Sequence, residues 1–294
     1  MKLKPGFRIG SSFKATFSPT GDRLVTIGKR ITLWDVLARA RIATGPPLAH
    51  TSELDWSPDG KLVVAKNTLG EVLILDGKTL AELGRFSGSG FGEGTEVRFA
   101  LDGETFVDAT WSGSLMVRDT RTGKVMWEES GEGLRSLTST PDRLNWLYTR
   151  STSTGYHVLV RRWPFKEHPG AVLSREEERM VWDVALSRDG RLAAVALSAG
   201  LSVYEDAGIR GWRLVAERRD LPTSGTHDTV AVSPDGSAIA YSGKQVATVF
   251  DRELNTIHET PMPYACAVEF APAGDLLALG DWTSAGLVIA WPPA

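Results

Sequence analysis

Apolar and polar positions alternate along the chain in one recurring phrase: an apolar, β-prone run, then Ser-Pro-Asp-Gly or a variant, then a second apolar run. The copies are Ser18-Pro19-Thr20-Gly21, Ser57-Pro58-Asp59-Gly60, Ala100-Leu101-Asp102-Gly103, Thr140-Pro141-Asp142-Arg143, Ser187-Arg188-Asp189-Gly190, Ser233-Pro234-Asp235-Gly236 and Ala271-Pro272-Ala273-Gly274. Their last residues are spaced by 39, 43, 40, 47, 46 and 38. A period of roughly 40–45 residues is that of four-stranded propeller blades.

The phrase is a turn. Proline sets φ at the first central position, aspartate hydrogen-bonds its own backbone, and glycine accepts the positive φ that closes a tight hairpin. The run after each turn is apolar almost throughout, as in Leu62-Val63-Val64-Ala65 and Leu192-Ala193-Ala194-Val195-Ala196-Leu197, which places it in the middle of a sheet covered on both faces. A third strand follows and in most units ends in an acid, as in Thr32-Leu33-Trp34-Asp35, Leu73-Ile74-Leu75-Asp76, Met116-Val117-Arg118-Asp119 and Thr248-Val249-Phe250-Asp251. A fourth, more polar strand tolerates water on its free edge.

With its strand-ending Trp34-Asp35 dipeptide, and with Asp76, Asp119 and Asp251 keeping the acid alone, the chain resembles the WD40-repeat family over essentially its whole length. The Gly-His pair that such repeats often carry is absent, so the histidine-based hydrogen-bond network of that family is not carried over. Similar turns occur in TolB-like and prolyl-oligopeptidase-like propellers, so the resemblance bears on architecture more than on subfamily. It implies an all-β, seven-bladed propeller of antiparallel blades in one domain, residues 1–294, with blades near 11–45, 52–86, 95–130, 134–174, 181–217, 228–260 and 265–294. The last unit runs out of sequence before its fourth strand. Gly6-Phe7-Arg8-Ile9 has the length and character to complete it and close the ring, as the resemblance also implies.

The 33 basic and 36 acidic residues leave a formal charge of −3, which gives no general attraction to nucleic acid or anionic lipid. One cysteine, Cys266, allows neither an intrachain disulfide nor a cysteine-based metal site, and favours a reducing compartment. The N-terminus lacks the apolar run of a signal peptide, and no stretch reaches the length of a spanning helix. The expectation is a cytoplasmic monomer.

Catalytic motifs are missing. The five histidines His50, His157, His168, His227 and His258 show no metal-ligand spacing, and neither a nucleophile elbow nor a Walker loop is present. Gly88 to Gly94 is glycine-rich without the lysine or helix of a phosphate cradle, so it reads as a connection, and Arg175-Glu176-Glu177-Glu178-Arg179 reads as a solvated loop. The turn register gives a polar row on the first strands, namely Thr16, Asp55, Arg98, Thr138 and Glu269, expected to line a central channel with Asp55 and Arg98 as an ion pair. The opposite rim collects Arg30, His50, Trp111, Arg150, Trp182, Tyr264 and Trp282 from loops and blade connections, residue types that dominate interfaces. The reading is a scaffold or binding module for a protein or peptide partner, without catalytic residues, cofactor or metal. The alternative is a lactonase-like propeller hydrolase using Asp55 and Glu269 or an axial metal.

Overall fold

The structure is a computed structural model describing residues 6–87, 96–110, 113–131, 133–176, 179–198, 200–223 and 228–292. Apart from one 3-10 turn at Gly208–Arg210, the regular elements among the described residues are strands. The first is β1 (Phe7–Ser12). The first four-stranded sheet is β2 (Lys14–Phe17), β3 (Arg23–Ile27), β4 (Ile31–Asp35) and β5 (Ala40–Thr44). The second is β6 (Thr51–Trp56), β7 (Leu62–Asn67), β8 (Glu71–Asp76) and β9 (Glu82–Ser87). The third is β10 (Glu96–Phe99), β11 (Thr105–Ala109), β12 (Leu115–Asp119) and β13 (Val125–Glu129). The fourth is β14 (Leu134–Ser139), β15 (Asn145–Thr152), β16 (Gly155–Arg162) and β17 (Ala171–Glu176). The fifth is β18 (Val181–Leu186), β19 (Leu192–Leu197), β20 (Gly200–Asp206) and β21 (Trp212–Arg218). The sixth is β22 (Val230–Val232), β23 (Ile239–Gly243), β24 (Val246–Phe250) and β25 (Thr256–Pro261). The seventh joins β26 (Ala265–Phe270), β27 (Leu276–Ala290) and β1.

All pairings are antiparallel, and within each of the first six sheets the strands follow chain order. In the seventh, β26 pairs with the first half of β27 and β1 with the second, Phe7 facing Val288 and Ser12 facing Asp281. The opening residues therefore complete the last sheet, as expected. One difference is that the stretch around Trp282, expected as a loop, stays extended, because β1 meets it at Asp281 and Gly286.

The chain divides into two compact units, Ser18–Met180 and Met1–Phe17 with Val181–Ala294. In the first, Val64, Ile74, Val97, Phe99 and Phe106 fill the space between the second and third sheets, and Trp146, Tyr148 and Phe165 that beside the fourth. It also buries an ion triad: Lys66 Nζ donates to Asp108 and to the Ala109 carbonyl at 3.0 Å, and Arg118 Nε donates to Asp108 at 2.7 Å. In the second unit Leu192, Leu201, Ile239, Tyr241 and Phe250 make one cluster, and Val249, Phe270, Leu277 and Trp291 another.

The repeated turns are built alike. Ser57 Oγ donates to Asp59 at 2.7 Å and accepts from Leu62 N at 2.9 Å, while Asp59 accepts from Lys61 N at 3.0 Å. Ser187 with Asp189 and Ser233 with Asp235 repeat the arrangement. These bonds stabilise the carboxylate form. The Lys61 ammonium above all, with the Ser57 hydroxyl and the Lys61 N–H, outweighs the opposing effect of burial and brings Asp59 down to about 2. The hydroxyls of Ser187 and Ser233 lower Asp189 and Asp235 in the same way. A carboxyl whose pKa is lower folded than unfolded stabilises the fold above its unfolded pKa, and that contribution disappears as pH falls through the folded value. The melting temperature should therefore be level between about pH 7 and 5 and fall once pH drops below about 4, where free aspartate titrates. A melt unchanged down to about pH 2 would show that these turns contribute nothing.

Each of the first six sheets has a bulge where the outer strand meets the third strand. The extra residues are Ile42, Leu83, Met126, Leu173, Val215 and Ile257. All are apolar, and all but Leu173 are exposed. A bulge at an outer strand adds twist and breaks the row of free backbone groups, which discourages edge-to-edge pairing with another chain.

Candidate binding surface

Three aromatic rings converge where β1, β26 and β27 meet. Phe13, just after β1, stacks on Trp282 with centroids 4.9 Å apart and planes 16° from parallel, and Tyr264 meets Trp282 edge-on at 6.4 Å. Trp282 remains 42 % exposed and Tyr264 38 %. Exposed aromatic area held in fixed geometry is what binding surfaces use for anchors.

The backbone beneath is fixed by one buried carboxylate. Asp281 accepts from Tyr264 N at 2.7 Å, Thr283 N at 2.8 Å and Ala285 N at 3.3 Å, and also from the Thr283 hydroxyl. Burial raises its pKa, but these donors outweigh burial and hold it below the ordinary carboxylate range. Trp282 N returns a bond to the Tyr264 carbonyl at 3.2 Å, and Ser11 Oγ donates to the Trp282 carbonyl at 3.0 Å. Gly280 permits the close approach, since a Cβ there would lie 2.3 Å from the Ser12 carbonyl oxygen. Cys266 is buried below, its thiol pushed up by burial and so held as the unreactive thiol.

The remaining rim candidates are dispersed in kind. Arg30 and His50 are exposed, and Arg30 Nη2 donates to the Gly45 carbonyl at 2.6 Å. Arg150 lies within β15 and not in a loop, because the β15–β16 pairing runs on to Thr152 and Gly155; it donates to Glu129 at 2.8 Å. Trp182 is on β18, half-buried and packed against the core cluster of its unit. Trp111, His227 and Gly88 to Gly94 lie outside the described residues. Arg175 and Glu176 are a correction: they end β17 instead of forming a solvated loop, and buried Glu176 accepts from Arg179 at 2.8 Å, since the fourth sheet pairs as far as Tyr156 with Glu176. Phe13 was missed by the sequence reading, although an aromatic residue just ahead of a first strand was the signal that drew attention to Tyr264.

The first-strand polar residues serve the backbone. Asp55 accepts from Phe99 N at 2.8 Å and from Arg143 Nη2 at 2.9 Å, and Arg98 Nη1 lies 3.6 Å from it. Arg98 also approaches Glu53 at 3.9 Å and donates through Nε to the Leu137 carbonyl. Glu269 accepts from Thr16 Oγ1 at 2.8 Å and from Phe17 N at 3.3 Å. Asp183 accepts from Val230 N at 3.0 Å. A carboxylate on one first strand thus reaches a main-chain amide on the next, three times over. Thr138 sits half-buried on β14. Among the described residues no group of three or more His, Cys, Asp or Glu side chains is placed to hold a metal ion, and no helix is long and apolar enough to cross a membrane.

No protein-family model and no curated protein sequence matches the chain. Solved structures do match. The β-propeller domain of Cps50 (Swd1) from Myceliophteria thermophila superposes with a TM-score of 0.78 at 13 % identity, covering 99 % of this chain and 100 % of that one. Hydrazine synthase from Kuenenia stuttgartiensis gives 0.76 at 16 % identity, covering 99 % and 97 %. The fold is an all-β, seven-bladed propeller. Since one of the two neighbours is named as an enzyme, chemistry and binding must be distinguished by side chains and not by fold.

Proposed function

We propose that this protein is a non-catalytic binding module that presents the Phe13, Tyr264 and Trp282 surface to a protein or peptide partner. The observation carrying the reading is the exposed, stacked aromatic pair held over a buried, fully engaged carboxylate. Stacked rings keep few rotamers, so a partner that covers them costs little further side-chain entropy. The rival carboxylates of a hydrolytic reading, Asp55 and Glu269, are already taken up by backbone amides, Arg143 and Thr16.

The test replaces Tyr264 and Trp282 together with alanine. Affinity capture from cell extract should lose its specific partner, whereas the melting temperature should shift by no more than a few degrees, because both rings are substantially exposed. A collapsed melt would mark the rings as core. Undiminished capture would move the partner elsewhere. One equivalent of divalent metal in the purified protein, lost on Asp55→Ala, would instead favour hydrolysis.

A further inference from the structure

The fourth sheet differs from the others in how its charges face each other. Elsewhere among the described residues, directly opposed acidic or basic side chains on paired strands set an acid against a base: Arg23 with Asp35, Glu53 with Lys66 and Glu205 with Arg213. In the fourth sheet Arg150 on β15 faces His157 on β16, and His157 in turn faces Arg175 on β17. Directly opposed residues share a face of the sheet, so three basic side chains stand in one row across three strands. Neighbouring strands lie about 4.8 Å apart, which puts Arg150 and Arg175 about 10 Å from each other with His157 between them. Two arginine side chains at that separation can close on one ion above the imidazole.

The row lies on the face turned to the third sheet, where Trp146, Tyr148 and Leu159 pack with Val107 and Val117. Glu129 of the third sheet accepts from Arg150 at 2.8 Å and from Arg161 at 2.7 Å. One acid thus serves two guanidinia and leaves one positive charge over. Arg175 adds a second, because neither its side chain nor that of His157 has a hydrogen-bonding or ionic partner among the described residues. Donors are open as well. Arg150 Nε is buried without a hydrogen-bond partner, and its guanidinium lies against Gly131, where a Cβ would collide with it. Arg175 is exposed and His157 half-buried. Like charges directly opposite each other destabilise a sheet, and a dianion between them turns that repulsion into attraction.

We infer that the Arg150, His157 and Arg175 row is an anion site, sharing no residue with the aromatic surface, that takes a phosphate dianion, free or as the terminal group of a phosphomonoester. The two uncompensated positive charges match a dianion, whereas a carboxylate would neutralise only one. Arginine forks present paired N–H donors to phosphate oxygens, and an imidazole supplies an N–H in either charge state.

Two probes are titrated into the isotope-labelled full chain at about pH 7.5, above the second phosphate pKa of about 6: inorganic phosphate and the peptide acetyl-Gly-phosphoserine-Gly-amide. The readouts are the backbone amides of Arg150, His157 and Arg175 and the arginine Nε–H resonances. Saturable shifts are expected, with a melting temperature that rises with probe concentration, as for any ligand of the folded state alone. The tighter probe names the source of the phosphate. Acetyl-Gly-Glu-Gly-amide, and sodium chloride at matched ionic strength, should bind at least about tenfold more weakly. Arg175→Gln changes an exposed side chain, so the fold should be kept while affinity falls at least about tenfold. His157→Glu puts a carboxylate between the two guanidinia; its melting temperature should rise and its phosphate response vanish. The inference is overturned if the parent shows no saturable shift beyond that with chloride, if the glutamate peptide binds as well as the phosphopeptide, or if folded Arg175→Gln or His157→Glu binds phosphate as the parent does. The Tyr264 and Trp282 double variant should respond to phosphate unchanged, which separates the two surfaces.

Discussion

Asp108→Ala is expected to cost about 3–5 kcal/mol, the range for removing one partner of a buried ion pair. Lys66 and Asp108 have no exposed side-chain surface, and Arg118 has 9 %. Without the carboxylate, two cations remain facing each other across the space it filled, and Lys66, which has no exposed surface, cannot reach water without opening the second and third sheets. At roughly 2 °C or more per kcal/mol for a chain of this size, the melting temperature should fall by about 10 °C. The companion measurement is the triple replacement Lys66→Met, Asp108→Leu and Arg118→Met. An apolar substitute for a buried ion cluster is often neutral or better, so the triple variant should recover most of the loss. Should Asp108→Ala melt within a degree or two of the parent, the triad would be stabilising nothing.

Asp55→Ala should be nearly as damaging, for a different reason. Its carboxylate holds three successive sheets: it sits on β6, accepts the Phe99 amide at the end of β10, and pairs with Arg143 in the turn after β14. Loss of the side chain leaves a buried N–H without its acceptor and Arg143 without its counter-ion, about 3 kcal/mol or more together. Asp55→Asn tests the division. The amide oxygen can still accept from Phe99 but no longer neutralises a guanidinium, so a smaller loss is expected, measured as the midpoint of denaturant unfolding at unchanged slope. Equal losses for alanine and asparagine would assign the whole effect to charge. A changed slope would mean that the sheets unfold separately.

These two carboxylates were unequally visible in the sequence. Asp55 follows from the turn register, because it stands two residues before Ser57, as Glu269 stands two before Ala271. Asp108 and Lys66 gave no such signal. They sit in second strands, whose apolar neighbours Phe106, Val107, Val63 and Val64 mark burial but leave the partner of a polar residue undefined. Only the packing of β7 beside β11 brings Lys66 to Asp108, 42 residues away. The aromatic surface divides in the same way. Tyr264 was legible as an exposed residue of a connection and Trp282 as an exposed aromatic, though expected in a loop and found in β27, while the stacking of Phe13 on Trp282 depends on β1 joining β27 across the length of the chain.

The amino-acid order alone determined the repeat, the four strands of each unit, the turns between them and the borrowed opening strand. Each of these rests on local conformational preference and on alternation within a few residues, which the chain carries whatever its surroundings. The tertiary structure decided which polar groups share a charge and which rings stack. Those outcomes depend on side chains from different sheets meeting within a few ångströms, and such meetings are set by packing between units of the repeat, not by the residues on either side in the sequence.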